Sequence, residues 1–220
     1  MIQVAIDGPS AVGKSSIARL AAKKLGFIYI DTGALYRAIG LAATLCGIDA
    51  NDAARVEAML ANIRLELRHD PDGAQRVFLN GNDVSEDIRT PKASMAASAV
   101  SAMPAVRAFL LDSQRKLASQ SNCILDGRDI GTVVLPNAQL KLFLTATADE
   151  RARRRFHELQ AKGISQSFDA VKAELIQRDE QDTNRAVAPL KPAADSVLLD
   201  TTDLSLEEAV ARVTALIQFI

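Results

Sequence analysis

Apolar residues recur along this chain with two alternating periods. The run "IQVAI" (2–6) is apolar almost throughout and stops at a glycine-rich loop, as expected of a strand buried on both faces of a parallel sheet. Residues 14–25, "KSSIARLAAKKL", bring Ile17, Leu20, Ala21 and Leu25 near one face of a helix that Gly26 should end. "FIYI" (27–30) reads as a second strand and 33–47 as a helix closed by Gly47. The rhythm then changes. "IRLELRH" (63–69) and "RVFLN" (76–80) alternate apolar and polar residues around the turn signals "PDG" and "NGN", which predicts a small antiparallel meander inserted on an α/β core. Helical periods return at about 91–101 and 105–119, separated at Pro104. "CILDG" (123–127) and "LKLFLTA" (140–146) read as core strands. Thr147 and Glu150 fit a capping box opening a charged helix, and a further helix is expected near 168–180. A strand at 196–200 and a helix opened by a second box, Ser205 with Glu208, complete the chain. Strands alternating with helices imply a parallel sheet with ligands at its carboxyl edge.

Composition narrows the class. The chain has 220 residues, 48% hydrophobic and 24% charged, with formal net charge −1, as for one globular α/β domain with an inserted subdomain. This balance carries no electrostatic footprint for nucleic acid. No apolar run approaches the ~20 residues that span a bilayer. "MIQVAID" enters a strand without a basic segment or cleavage site, so a cytoplasmic protein without membrane partners is expected; a monomer without nucleic-acid partners is expected as well. Cys46 and Cys123 lie in apolar stretches and read as buried free thiols. His69 and His157 have no Cys or His at ligand spacing, which argues against zinc. Arginine outnumbers lysine 17 to 9, and the guanidinium fork suits phosphate oxygens.

Five stretches carry chemistry. "IDGPSAVGKSS" (6–16) holds Gly8, four residues, then Gly13-Lys14-Ser15, the spacing of a phosphate-binding loop between a strand and a helix. Its backbone and side chains, Gly8, Pro9, Ser10, Ala11, Val12, Gly13, Lys14, Ser15 and Ser16, should bind a nucleoside triphosphate, which the family resemblance given below makes ATP. Lys14 would bridge β- and γ-phosphates and Ser15 would take Mg²⁺ through its hydroxyl. "CILDGRDIGT" (123–132) puts Asp126 at the end of a buried strand, where it can hold a Mg²⁺-bound water, with Arg128 and Asp129 projecting into the cleft. "ERARRRFHE" (150–158) packs Arg151, Arg153, Arg154 and Arg155 into five positions, read as a lid over the transferring phosphate rather than as a solvated face with i,i+4 pairs. Arg154 and Arg155 are its catalytic candidates, without deciding which reaches the phosphate. In "RDEQDTNRAVAP" (178–189), Arg178 and Asp182 share a helix face and could form a simple salt bridge. "DTGALYR" (31–37) lies on the loop side of the sheet, with Thr32 a candidate N-cap and Tyr36 and Arg37 about one turn in. The fold class that follows is a P-loop NTPase-type parallel sheet flanked by helices, with the meander and the helical lid added.

The acceptor can be weighed from the same residues. A hydroxyl acceptor would need a base, for which Asp31 or Asp129 could serve. A monophosphate has its second pKa near ~6, so its attacking oxygen is already mostly anionic and arginines are the main requirement. Arg37, Arg128, Arg178 and Arg185 outside the lid favour the phosphate. A guanine reader of the Asn-Lys-x-Asp kind, as a GTPase switch would carry, does not occur.

"IDGPSAVGKS", "DTGALYR", "DGRDIGTVV" and "RDEQDTNRAVAPL" together make the chain resemble, nearly end to end, the bacterial-type cytidylate kinases, which phosphorylate CMP and dCMP from ATP. The resemblance implies one kinase domain over 1–220. Its core would be about 1–62, 104–147 and 183–220, its monophosphate-binding insert about 63–103, and its lid about 148–167. It places Thr32, Tyr36, Arg37, Arg128 and Arg185 at the monophosphate, Ser98, Arg107 and Asp129 at the base, and Arg178 and Asp182 at the ribose. Lys14, Arg128 and Arg185, with the lid arginines, would be catalytic. Thr32 stands where related sequences can carry Ser, and its hydroxyl is retained.

Overall fold

The structure, a computed structural model, describes residues 1–70 and 73–220. Five parallel strands form the core sheet: β1 (Gln3–Asp7), β2 (Ile28–Asp31), β6 (Cys123–Asp126), β7 (Leu140–Thr145) and β8 (Val197–Asp200). Their order is β2-β6-β1-β7-β8, so β1 is central and β2 is an edge. Alternation along β1 assigns its side chains to two cores. Val4 and Ile6 pack with α1 (Lys14–Leu25) and α8 (Leu206–Gln218), while Ala5 packs on the other face with Ile30, Leu125 and Ile130. Both expected glycine stops hold, with Gly26 at φ +68 and Gly47 at φ +64.

The insert is a three-stranded antiparallel sheet of β3 (Leu65–His69), β4 (Gln75–Leu79) and β5 (Asn82–Asp83). The "PDG" turn falls partly on residues 71–72, outside the described residues, while Asn80 and Gly81 turn with positive φ. The insert shares a core with α2 (Thr32–Leu45), α3 (Ala53–Leu60), α4 (Pro91–Ser101) and α5 (Pro104–Ala118). The sequence reading missed α3, although Asp52 caps it by accepting from the Arg55 N–H at 3.1 Å and Val56, Met59 and Leu60 form its buried face. Finally α6 (Ala148–Ala161) and α7 (Phe168–Asn184) pack on each other through Ala152, Leu159, Val171 and Leu175.

Several local expectations need correction. Asp31, not Thr32, caps α2, accepting from the Ala34 N–H at 3.1 Å. Thr147 caps α6, but Glu150 turns its carboxylate to Arg153 and Arg154, so the reciprocal half of that box is absent. The Ser205–Glu208 box is complete. Helix α7 runs on to Asn184, which keeps Asp182 helical. Cys46 is exposed at the end of α2, whereas Cys123 is buried and its thiol is pushed up to about 11 by burial. Among the described residues no single helix is long and apolar enough to cross a membrane.

Candidate active site

Four strands of the core sheet end on aspartates, Asp200 on the outer strand β8 and three on the neighbouring strands β2, β6 and β1. Asp7 closes β1, Asp31 closes β2 and Asp126 closes β6. Asp126 is level with both Asp31 and Ile6, so the three carboxylates line the carboxyl edge where α/β sheets collect ligands. Each is then engaged differently.

The loop from Gly8 to Gly13 carries β1 into α1. Gly8 has φ +147, and a β-carbon there would lie 2.2 Å from the Leu144 carbonyl oxygen, so only glycine lets the loop pass this close to β7. Gly13 precedes α1 without any side-chain cap, leaving the first helical N–H groups available to an anion. Lys14 is buried, and its ammonium donates to the Pro9 carbonyl at 2.7 Å. Burial, and then the neighbouring Arg128, pull its pKa well below the usual lysine value. An incoming anion would favour that charge. The Ser15 hydroxyl donates to Asp126 Oδ2 at 2.6 Å and the Tyr29 hydroxyl to Oδ1 at 3.1 Å. Burial, and then the charge of Asp31, push Asp126 up to about 6. A hydroxyl and a carboxylate in contact form a hard-oxygen set that fits Mg²⁺.

Ser10 joins this loop to the rest of the cleft. Its hydroxyl accepts from Arg128 at 2.9 Å, its carbonyl accepts from Arg151 at 3.2 Å, and its N–H donates to Asp179 at 3.2 Å. Asp179 also forms an ion pair with Arg151. Arg154 donates to the Val12 carbonyl at 3.2 Å and to the Thr201 carbonyl at 2.6 Å. Arg155 pairs with Glu158 at 2.9 Å.

Arginines and carboxylates alternate through the second half of the cleft. Arg37 pairs with Asp31 at 2.6 Å. Arg128 pairs through Nε with Asp182 at 2.8 Å. Asp129 pairs with Arg107 through one oxygen and with Arg185 through the other at 3.1 Å. The Arg107 guanidinium also lies 5.7 Å from the Tyr36 ring centroid. Burial disfavours the charge of Asp182, but Arg128 beside it holds its carboxyl below the usual range. The intrahelical bridge between Arg178 and Asp182 is not formed, because Asp182 turns to Arg128. Arg178 Nε is enclosed without a hydrogen-bond partner, and burial and then Arg128 lower its pKa to about 10. Thr32 Oγ donates to the Asp126 carbonyl at 2.8 Å, which ties the start of α2 to β6. Ser98 lies half-buried on α4 and takes no part in these ion pairs.

Four residues here escaped the sequence reading: Asp7, Tyr29, Gln75 and Asp179. Asp7 accepts from the N–H groups of Ile130 at 2.8 Å and Gly131 at 2.7 Å, fixing the turn after Arg128 and Asp129, and burial pushes it up to about 6. The Gln75 amide pairs with the Asp31 backbone, accepting at 2.8 Å and donating at 3.3 Å, on the free edge of β2. Only Asp7 had a local signal, a carboxylate at a strand end directly before the glycine loop. The other three act across long sequence separations.

The cytidylate kinase family model matches residues 4–219. A cytidylate kinase of Carboxydothermus hydrogenoformans is 46% identical over 216 residues, covering 98% of this chain and 97% of its own length. Another, from Pasteurella multocida, is 46% identical over 217 residues, covering 99% and 95%. Among solved structures, a shikimate kinase from Bacteroides thetaiotaomicron aligns with TM-score 0.50 at 13% identity, over 99% of this chain and 98% of that one. An uncharacterised protein from Eubacterium ventriosum aligns with TM-score 0.53 at 11% identity, over 100% and 99%. At these identities the structural likeness is one of fold.

Proposed function

The chain belongs to the cytidylate kinase family and is a nucleoside monophosphate kinase; from that premise we propose that it transfers the γ-phosphate of ATP to CMP and dCMP, without a protein base. The observation that carries the phosphate acceptor is the charge of the second half-site. Arg37, Arg107, Arg128, Arg178 and Arg185 face Asp31, Asp129 and Asp182, so five guanidinium groups against three carboxylates leave two positive charges. A monophosphate carries about −1.5 to −2 at neutral pH and would complete that balance. A hydroxyl acceptor is disfavoured because both candidate bases are already engaged, Asp31 by Arg37 and Asp129 by Arg107 and Arg185.

On this reading the Gly8–Ser16 loop binds ATP, and Lys14 leaves Pro9 to bridge the β- and γ-phosphates. Bound Mg²⁺, held by Ser15 and through water by Asp126, would neutralise charge on the phosphates. Thr32, Tyr36 and Arg37 line the monophosphate side, and Arg128 and Arg185 shift from carboxylates to the acceptor phosphate. Ser98, Arg107 and Asp129 meet the base, and Arg178 and Asp182 meet the ribose.

The segment 148–167 acts as a lid whose Arg154 and Arg155 approach the transferring phosphate and exclude water. Its first turns are already tied to the donor loop at Ser10 and Val12. Hydrogen exchange should therefore slow mainly in 155–167 when ATP and CMP analogues bind together, and equal protection in free and doubly liganded protein would refute the lid.

The deciding experiment is an ADP-release assay with ATP, Mg²⁺ and a panel of nucleoside monophosphates and phosphate-free hydroxyl acceptors. CMP and dCMP should support the highest turnover. Turnover on a hydroxyl acceptor matching that on CMP, or ADP release indifferent to every acceptor, would overturn the proposal.

A further inference from the structure

We propose that Tyr29 is a positioning residue for the metal–nucleotide site, acting through Asp126; the inference rests on reading Ser15 and Asp126 as the magnesium side of the donor loop. Tyr29 lies on β2, and its ring packs in the core with Ile17, Ala21 and Ile124. The parallel register sets Tyr29 level with Ile124, two residues before Asp126, and from there its hydroxyl reaches Asp126 Oδ1 at 3.1 Å. The other carboxylate oxygen, Oδ2, takes the Ser15 hydroxyl proton at 2.6 Å.

A serine hydroxyl has one proton and two acceptor lone pairs. With its proton committed to Asp126, Ser15 keeps its lone pairs for a cation. That commitment is only as firm as the orientation of the carboxylate. The terminal torsion of an aspartate is broad, so the Ser15 bond by itself does not fix the plane of the group. Tyr29 supplies the second anchor, and the two donors together hold both oxygens. A buried tyrosine hydroxyl needs only some partner, so burial alone does not explain why its partner is the carboxylate that holds Ser15.

Tyr29→Phe removes the hydroxyl and keeps the ring in the core, so its thermal unfolding midpoint should stay near that of the wild type. The readout is calorimetric titration of a non-transferable ATP analogue with and without Mg²⁺. The Mg²⁺-dependent gain in affinity should fall roughly 3- to 10-fold in Tyr29→Phe, the order expected for the net worth of one intramolecular hydrogen bond. Affinity for the Mg²⁺-free analogue and for CMP should stay within about twofold of the wild type. In an Asp126→Asn background the same change should have no further effect, because the relay is already broken. A wild-type Mg²⁺ gain in Tyr29→Phe, or the same loss on top of Asp126→Asn, would overturn the proposal. A wild-type protein with no Mg²⁺ gain would overturn the metal reading itself, and this inference with it, before any variant is made.

Discussion

The donor loop runs through consecutive residues from Gly8 to Ser15 and would offer a ligand mainly backbone N–H groups, with one buried ammonium. The acceptor cluster gathers side chains from the end of β2, α2, α5, the turn after β6, α7 and the residue that follows α7. On the proposed reading, function in the loop would depend on the path of the chain, set by Gly8 against Leu144 and by the left-handed Gly13. In the cluster it would depend on ion pairs that share partners, with Asp129 held by two arginines. A site of the first kind should fail abruptly when its one charged side chain is removed. A site of the second kind should fail by degrees, and each change should be felt by its neighbours.

Lys14→Ala is the sharpest test of the first half. It removes the only ammonium that would lie between the β- and γ-phosphates, a preorganised electrostatic contact in a buried site. The expected loss is ~10²-fold or more in kcat. Near-full turnover at saturating ATP would show that the loop does not depend on this residue. Asp182→Ala is the corresponding test of the second half. It leaves Arg128 without its carboxylate and removes a partner that also lies 4.0 Å from Arg185. We expect kcat/KM for CMP to fall roughly 10- to 100-fold, since an unpaired buried charge costs more than a neutral group. ATP affinity measured without CMP should hardly change, and equal weakening of both would erase the distinction between the halves.

The same contrast explains what was legible in the sequence. The glycine spacing announced the loop between β1 and α1 because its geometry is local. The strand pattern placed Asp126 correctly because burial in a parallel sheet leaves a continuous apolar run before it. Periodicity could not pair Asp182 with Arg128, 54 positions away, and the i,i+4 spacing to Arg178 suggested the wrong partner. Asp179 and Gln75 were invisible for the same reason, since their partners Ser10 and Asp31 lie far along the chain. Helix α3 was missed because its eight residues give too short a period to stand out between the longer α2 and the meander. The base and ribose assignments came only from the family resemblance, and no spacing rule would have supplied them.

Asp129→Asn tests the shared partner at the centre of the cluster. Cytosine presents an N4 amino donor where uracil presents a carbonyl acceptor, and an ionised carboxylate can only accept. We expect CMP to be preferred over UMP by about 5- to 150-fold in kcat/KM, the span of one mispaired buried polar group at roughly 1–3 kcal/mol. Asparagine can donate to uracil O4, so the preference should narrow. Absolute activity should fall for both substrates, because Arg107 and Arg185 lose their common counter-charge. The ratio is therefore the quantity to measure. An unchanged ratio would move base recognition away from Asp129.

The smallest effect is expected at Asp7, which belongs to both halves. Its backbone leads into Gly8, and its carboxylate holds Ile130 and Gly131 behind Arg128 and Asp129. Burial raises its folded-state pKa to about 6, against about 4 for an unfolded aspartate. Between those values the folded protein keeps a proton that the unfolded chain releases. This group's contribution to stability therefore falls as pH rises from about 4 to about 6, and the cost of holding the ionised carboxylate is fully present above that window. Asp7→Asn does not titrate. The stability of wild type minus that of Asp7→Asn should thus decline through the window by at most about 1.4 kcal/mol per pH unit, then level off. Asp126, also raised to about 6, is present in both proteins and cancels in the difference. Chemical denaturation at several pH values from 4 to 7 measures the slope. A flat difference would mean that Asp7 titrates normally, and that the hydrogen bonds from Ile130 and Gly131 offset its burial in full.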